Sequence, residues 1–174
     1  IKLNSDDLIL DIGSNDGNLL NNFKNKFKVL GVTPELAGKI AIKKGVNTII
    51  NYFNEKISRH ILKKYNKEKI ITATNVFAHV ENINELMKNI LRVLKNDGVF
   101  ISESHYFLKV LKENQYDTIY HEHLRYYTLT SLKYLFNKYN LEIIHAKEIN
   151  THGGSIRVYV SRKNKFKIKN TVVK

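Results

Sequence analysis

"LILDIGSNDGNLL", residues 8–20, sets a short apolar run directly against a polar, glycine-bearing turn. Leu8 to Ile12 reads as a buried strand and Gly13 to Gly17 as a tight turn. Leu19, Leu20, Phe23 and Phe27 then recur at helical spacing. In open α/β sheets ligands sit at the carboxyl ends of the strands, beside the switch in strand order, so this turn is where a ligand is expected. A dinucleotide site would need G-x-G-x-x-G, and here Asn15 and Asn18 follow Gly13 at the other two glycine positions. No Gly-Lys-Ser/Thr follows either, which excludes a P-loop.

The remainder of the chain continues the alternation. Strands are expected at Val29 to Val32, Thr48 to Ile50, Ile70 to Thr74 and Val99 to Ser102, with a helix over 35–44 ending at Gly45. The clearest helix starts at Asn82, whose side chain can cap it with Glu85 three residues on. Ile83, Leu86, Met87, Ile90, Leu91 and Leu94 make one apolar face, and Asn96-Asp97-Gly98 ends the helix. Leu132, Leu135, Phe136 and Tyr139 mark another helix. Two strands near 141–149 and 155–161 follow, joined by the loop "NTHGG", residues 150–154. Strands alternating with helices imply parallel βαβ units covered on both faces. The fold class is therefore α/β, Rossmann-like, with a mostly parallel central sheet and a C-terminal antiparallel hairpin.

A chain of 174 residues fits one domain. It has no cysteine, which excludes disulfides and thiolate metal sites and favours a cytoplasmic setting. No apolar run approaches the ~20 residues of a membrane span, so no membrane partner is expected. The net charge of +13 would suit a polyanion. The lysines are scattered, however, apart from Arg162 to Lys169, and no basic stripe interleaved with aromatics appears, so nucleic acid is not the expected partner. Residues 1–162 read as the folded domain, and 163–174 as a basic tail or the start of a further region.

The first turn is polar and tight, and N–H groups of the helix it opens are expected to face a ligand carboxylate. That suits the methionine end of S-adenosylmethionine better than a diphosphate. A purely structural turn, with Gly13 and Gly17 at special backbone angles, is the competing reading. Four segments then combine: "LDIGSNDGNLL" (10–20), "NVFAHVENINELM" (75–87), "NQYDTIYHEHLRYYTL" (114–129) and "THGGSIRVYVSR" (151–162). Together they resemble the sugar C-methyltransferases of deoxysugar biosynthesis, over residues 8 to 162. That family, built on the class I methyltransferase fold, moves a methyl group from S-adenosylmethionine to C3 of a nucleotide-linked 4-keto-6-deoxy sugar. The first segment alone would indicate only a methyltransferase, whereas "DTIYHEHL" with "THGGS" is far more specific.

The resemblance implies roles. His123 would be the general base, with Tyr120 and Glu122 beside it and His79 a further active-site histidine. Asp11, Gly13, Ser14, Asn15 and Asn75 would contact the cofactor, and Asn51 and Tyr52 would lie near the adenine. Where the family often has Gly-Val-Glu-Pro, with the carboxylate on the ribose, this chain has Gly31-Val32-Thr33-Pro34. That places Thr33 at the carboxylate's position and Glu35 two residues on. Family members usually also carry an N-terminal zinc-binding domain and a further C-terminal region, so this chain is expected to be a fragment or to close its pocket another way. A histidine suits the base because its ordinary pKa lies near working pH. Tyrosine hydroxyls or a second histidine can hydrogen-bond a developing oxyanion.

Other readings compete. His121 and His123 share one face if their segment is extended, which suits two zinc ligands with His79 or Glu122 as a third. No H-E-x-x-H or thiolate pattern supports a metal, and none is assigned. Histidines 60, 105 and 145 receive no role. Alternative functions are an O- or N-methyltransferase on a small molecule or RNA, or a non-catalytic methyltransferase-like module.

Overall fold

The computed structural model describes residues 1–172; Val173 and Lys174, the last two residues of the basic C-terminal stretch, lie outside the described residues. β1 (Leu8–Ile12) is buried at every position, as a strand covered on both faces must be. It pairs in parallel with β2 (Lys28–Thr33) on one side and β4 (Glu68–Thr74) on the other. β2 pairs in parallel with β3 (Thr48–Ile50). With β5 (Leu94–His105), β6 (Leu141–Ile149) and β7 (Ser155–Arg162), the described residues form a seven-stranded sheet of order β3-β2-β1-β4-β5-β7-β6. β7 runs antiparallel to β5 and β6. The expected α/β class with its closing antiparallel hairpin is observed. No helix among the described residues is long and apolar enough to cross a membrane.

The chain divides into two compact units. The first holds Ile1–Ala73 and Asn82–Val99; the second holds Thr74–Glu81 and the chain from Phe100 onward.

In the first unit, α1 (Asn18–Asn21) is a single turn, shorter than the apolar spacing implied. The Asn22 amide explains the early stop, because it donates to the carbonyls of Asn18 and Leu19 and competes with the helical backbone. α2 (Gly38–Lys43) is also shorter than expected. α3 (Glu55–Tyr65) fills a stretch with no sequence assignment; Asn54 caps it by accepting from the Ile57 N–H. α4 (Ile83–Val93) begins, as expected, with Asn82 accepting from the Glu85 N–H, and buries Leu86, Met87, Ile90 and Val93. Between α3 and α4 a polar group is satisfied internally: Ser58 Oγ donates to Asn89, and Arg92 donates to Ser58.

The expected turn at Asn96-Asp97-Gly98 is instead part of β5, which starts at Leu94. Gly98 lies so close to the start of β4 that a Cβ would sit 2.9 Å from the Glu68 carbonyl and 3.1 Å from that of Lys69. Only glycine permits that approach. Lys69 pairs with Asp97 across the same contact.

The second unit has an aromatic core. Phe77 stacks on Phe100 with centroids 5.7 Å apart, and Tyr127 and Phe136 meet Phe77 at 6.0 and 6.2 Å. α5 (Phe107–Lys112) follows β5, and α6 (Leu129–Asn137) opens on a reciprocal Thr128/Ser131 capping box. Beyond β7, the described part of the basic stretch returns to β6. The Lys169 N–H donates to the Ile144 carbonyl, Thr171 meets His145 Nδ1 at 2.8 Å, and Val172 is buried.

Candidate active site

In the first unit the expected ligand turn follows β1. Asp11 is buried; its carboxylate accepts from the Thr72 hydroxyl at 2.6 Å. Burial outweighs that hydrogen bond and pushes its pKa up to about 7. Gly13 and Asn15 are exposed and both adopt left-handed backbone, with φ of 76° and 50°. The N–H groups of Gly13 and Ser14 donate to the Val32 carbonyl. These two bonds hold the turn to β2. Ser14 is buried, its hydroxyl has no hydrogen-bond partner, and a Cβ on Gly31 would lie 2.4 Å from it.

Thr33 is buried; its hydroxyl accepts from the Glu35 N–H at 3.3 Å and its carbonyl from the Asn51 N–H at 2.9 Å. Glu35, Asn51 and Tyr52 are exposed. Lys44, the cation nearest in contact with this turn, is already held by Asp16 and Asn18 at 2.8 Å each. A buried acid that a cation would ionise, beside exposed left-handed backbone, fits an ammonium- and hydroxyl-bearing ligand. It fits a polyphosphate poorly.

In the second unit, "DTIYHEHLRYY" is not extended. Residues 120–123 form a turn in which the His123 N–H donates to the Tyr120 carbonyl, so the face-sharing of His121 and His123 expected of a strand does not arise. His123 is half-buried. Its Nδ1 lies 2.9 Å from the Thr118 carbonyl and its Nε2 lies 3.3 Å from the Tyr120 hydroxyl. A carbonyl only accepts, so Nδ1 carries the hydrogen and Nε2 holds the lone pair of the neutral ring. Tyr126 donates its hydroxyl to the same Thr118 carbonyl at 3.1 Å and stands perpendicular to the His123 ring.

His79 stands with its ring centroid 5.0 Å from that of His123, and its Nδ1 lies 3.1 Å from the Glu122 carbonyl. Glu122 is exposed and contributes to this cluster through its backbone. His121 is exposed and touches the edge of Tyr120. Segments 78–81 and 122–125 are joined further by the Leu124 N–H to the Ala78 carbonyl and by Arg125 to the carbonyls of Val80 and Glu81. Asn75 has φ 55° and donates its N–H to the Glu103 carbonyl. Among the described residues, no three His, Cys, Asp or Glu groups converge as metal ligands.

Several residues of this cluster carried no sequence assignment. His105, at the carboxyl end of β5, approaches His123 to 6.4 Å edge to face and bonds Gln115 through Nε2. Glu103, buried on the same strand, holds Arg157 and the Thr151 hydroxyl. The rule that ligands gather at strand ends would have pointed to His105 had β5 been read to its full length.

The family model described as a methyltransferase domain matches residues 2–146. The chain belongs to that family. A curated relative, the C-methyltransferase NovU of Streptomyces niveus, is 35% identical over 164 residues. That alignment covers 92% of this chain, and the chain spans 39% of the relative's length. Among solved structures, a SAM-dependent methyltransferase from Anabaena variabilis superposes with TM-score 0.69 at 13% identity, covering 92% of this chain and 79% of that one. The YcgJ protein of Bacillus subtilis gives 0.67 at 15% identity, covering 94% and 95%. At such identities the likeness concerns the fold. The methyltransferase domain therefore has the class I methyltransferase architecture that its strand order describes.

Proposed function

We propose that this methyltransferase domain serves carbon methylation of a nucleotide-linked 4-keto-deoxysugar at C3, with His123 as the base and S-adenosylmethionine as the methyl donor. When bound, S-adenosylmethionine supplies a methyl group already activated as a sulfonium, which needs only alignment with its acceptor. The protein's task is to make a carbon nucleophile next to a ketone.

His123 carries this reading. With Nδ1–H fixed on Thr118, Nε2 is the basic atom, and the carbonyl stabilises the imidazolium that forms when Nε2 takes the C3 proton. The electron pair of the broken C–H bond moves into the enolate, whose oxygen needs a donor. Tyr120, whose hydroxyl already lies at Nε2, and His79 are the candidates. Asp11 would meet the cofactor's ammonium group beside Gly13, Ser14 and Asn15. Thr33 ends β2 and Asn51 and Tyr52 follow β3, where the resemblance puts the nucleoside, and Asn75 follows β4. The NovU relative, a C-methyltransferase, supports carbon as the acceptor.

The test is methyl transfer from labelled S-adenosylmethionine to a thymidine-diphospho-4-keto-6-deoxyhexose by the full-length natural polypeptide. A C3-methylated sugar is expected. A product methylated on oxygen or nitrogen, or label incorporated only into RNA, would contradict the proposal.

A further inference from the structure

Gln115 sits just after α5 and is half-buried. Its Nε2 donates to the Gly153 carbonyl at 2.8 Å and to the Glu113 carboxylate. Two pure acceptors on one side settle which way the amide faces, leaving Oε1 to meet His105 Nε2 at 3.1 Å. An amide oxygen cannot donate, so His105 carries its hydrogen on Nε2 and its lone pair on Nδ1. His123, 6.4 Å away ring to ring, has the opposite arrangement.

Gly153 completes the device. Its φ is +73°, and a Cβ there would lie 2.8 Å from Gln115 Oε1 and 3.1 Å from both Cδ and Nε2. The backbone angle favours glycine, and any Cβ would push the Gln115 amide from its seat. The loop at residues 150–154 thus closes onto one side chain. The Tyr106 N–H, next to His105, in turn donates to the Gly154 carbonyl at 3.0 Å.

We propose that Gln115, seated by Gly153, is a positioning residue: it locks His105 in the Nε2–H tautomer and so fixes the ring against which the base His123 stands. The lock is a property of the free protein; its effect on catalysis rests on the methylation reading above.

Imidazole nitrogen shifts of ¹⁵N-histidine-labelled full-length protein, with His105 assigned through a His105→Gln variant, report the tautomer directly. Wild type should show His105 as Nε2–H. Gln115→Leu, which removes the acceptor, should give a mixture of tautomers. Gly153→Ala should resemble Gln115→Leu. An Nδ1–H tautomer in wild type, or an unchanged tautomer in folded Gln115→Leu, would overturn the lock.

In activity, Gln115→Leu should lower kcat for C3 proton exchange about tenfold with KM nearly unchanged. Normal kcat in Gln115→Leu would overturn the positioning role. A wild type that shows the lock but no exchange would instead contradict the methylation reading.

Discussion

The carbonyl oxygen of Thr118 lies 2.9 Å from Nδ1 of His123. The contact fixes the tautomer and leaves the Nε2 lone pair free for the proton in the reaction proposed above. Tyr126 shares the same carbonyl, so the acceptor is itself held in place. Tyr120 is the group at Nε2. Tyr120→Phe should therefore lower methylation by roughly 10²-fold, the scale of losing one donor to a developing oxyanion. Tyr126→Phe should cost only a few-fold. Steady-state kinetics of the two variants checks the order; equal effects would argue against it.

Arg125 clamps the loop that presents His79. Arg125→Ala removes donors to two consecutive carbonyls, Val80 and Glu81. Hydrogen bonds from a charged group contribute about 1.5–3 kcal/mol each at full burial, and partial exposure here reduces that to about 1–2 kcal/mol in all. The amide of Leu124, which donates to Ala78, should exchange with D₂O faster in the variant. Unchanged protection at Leu124 would show that the clamp does not hold the loop.

The proposed contact of Asp11 with the cofactor's ammonium predicts a pH signature. Its pKa is pushed up to about 7 by burial, and a bound ammonium would favour the charged form. Binding S-adenosylhomocysteine near pH 6 should therefore release a proton, and affinity should rise as pH approaches 8. Calorimetry in two buffers of different ionisation enthalpy measures the proton count. Asp11→Asn should abolish the release and weaken binding; a proton count of zero in wild type would separate Asp11 from the ligand.

Glu68 makes stability fall with pH. It is fully buried, neither carboxylate oxygen has a hydrogen-bond partner, and burial pushes its pKa up to about 8 from an ordinary 4.5. Between those values the unfolded chain has lost the proton that the folded one keeps. Rising pH therefore favours unfolding across this window, and the effect levels off above about 8. Glu68→Met should stabilise the domain by at least about 1 kcal/mol more at pH 8 than at pH 5, the equivalent of a single unit of pKa displacement. Denaturant melts at the two pH values give the difference, and an equal gain at both would exclude this origin.

The strands of this domain were legible because most are short apolar runs bounded by turn residues. α4 was legible because one face is apolar and Asn82 caps it. α3 was not, because its buried positions are few: Ile57, Ser58 and Ile61 against a surface of lysine, arginine and histidine. The true start of β5 was hidden because Asn96-Asp97-Gly98 is turn chemistry by composition, and its strand geometry comes from packing against β4. In the site, His79, Tyr120 and His123 were read from their motifs. Gln115, His105 and Arg125 were not, since what they do is set by partners 10 to 45 positions away in the chain.

The role of His123 is tested most directly by hydrogen–deuterium exchange at C3 of a thymidine-diphospho-4-keto-6-deoxyhexose in D₂O, using the full-length protein with S-adenosylhomocysteine present. Enolisation without methyl transfer isolates the base. His123→Ala should lower exchange by roughly 10²–10⁴-fold, as loss of a positioned base does, while S-adenosylhomocysteine binding stays close to wild type and His121→Asn changes little. Wild-type exchange with His123→Ala would contradict the account.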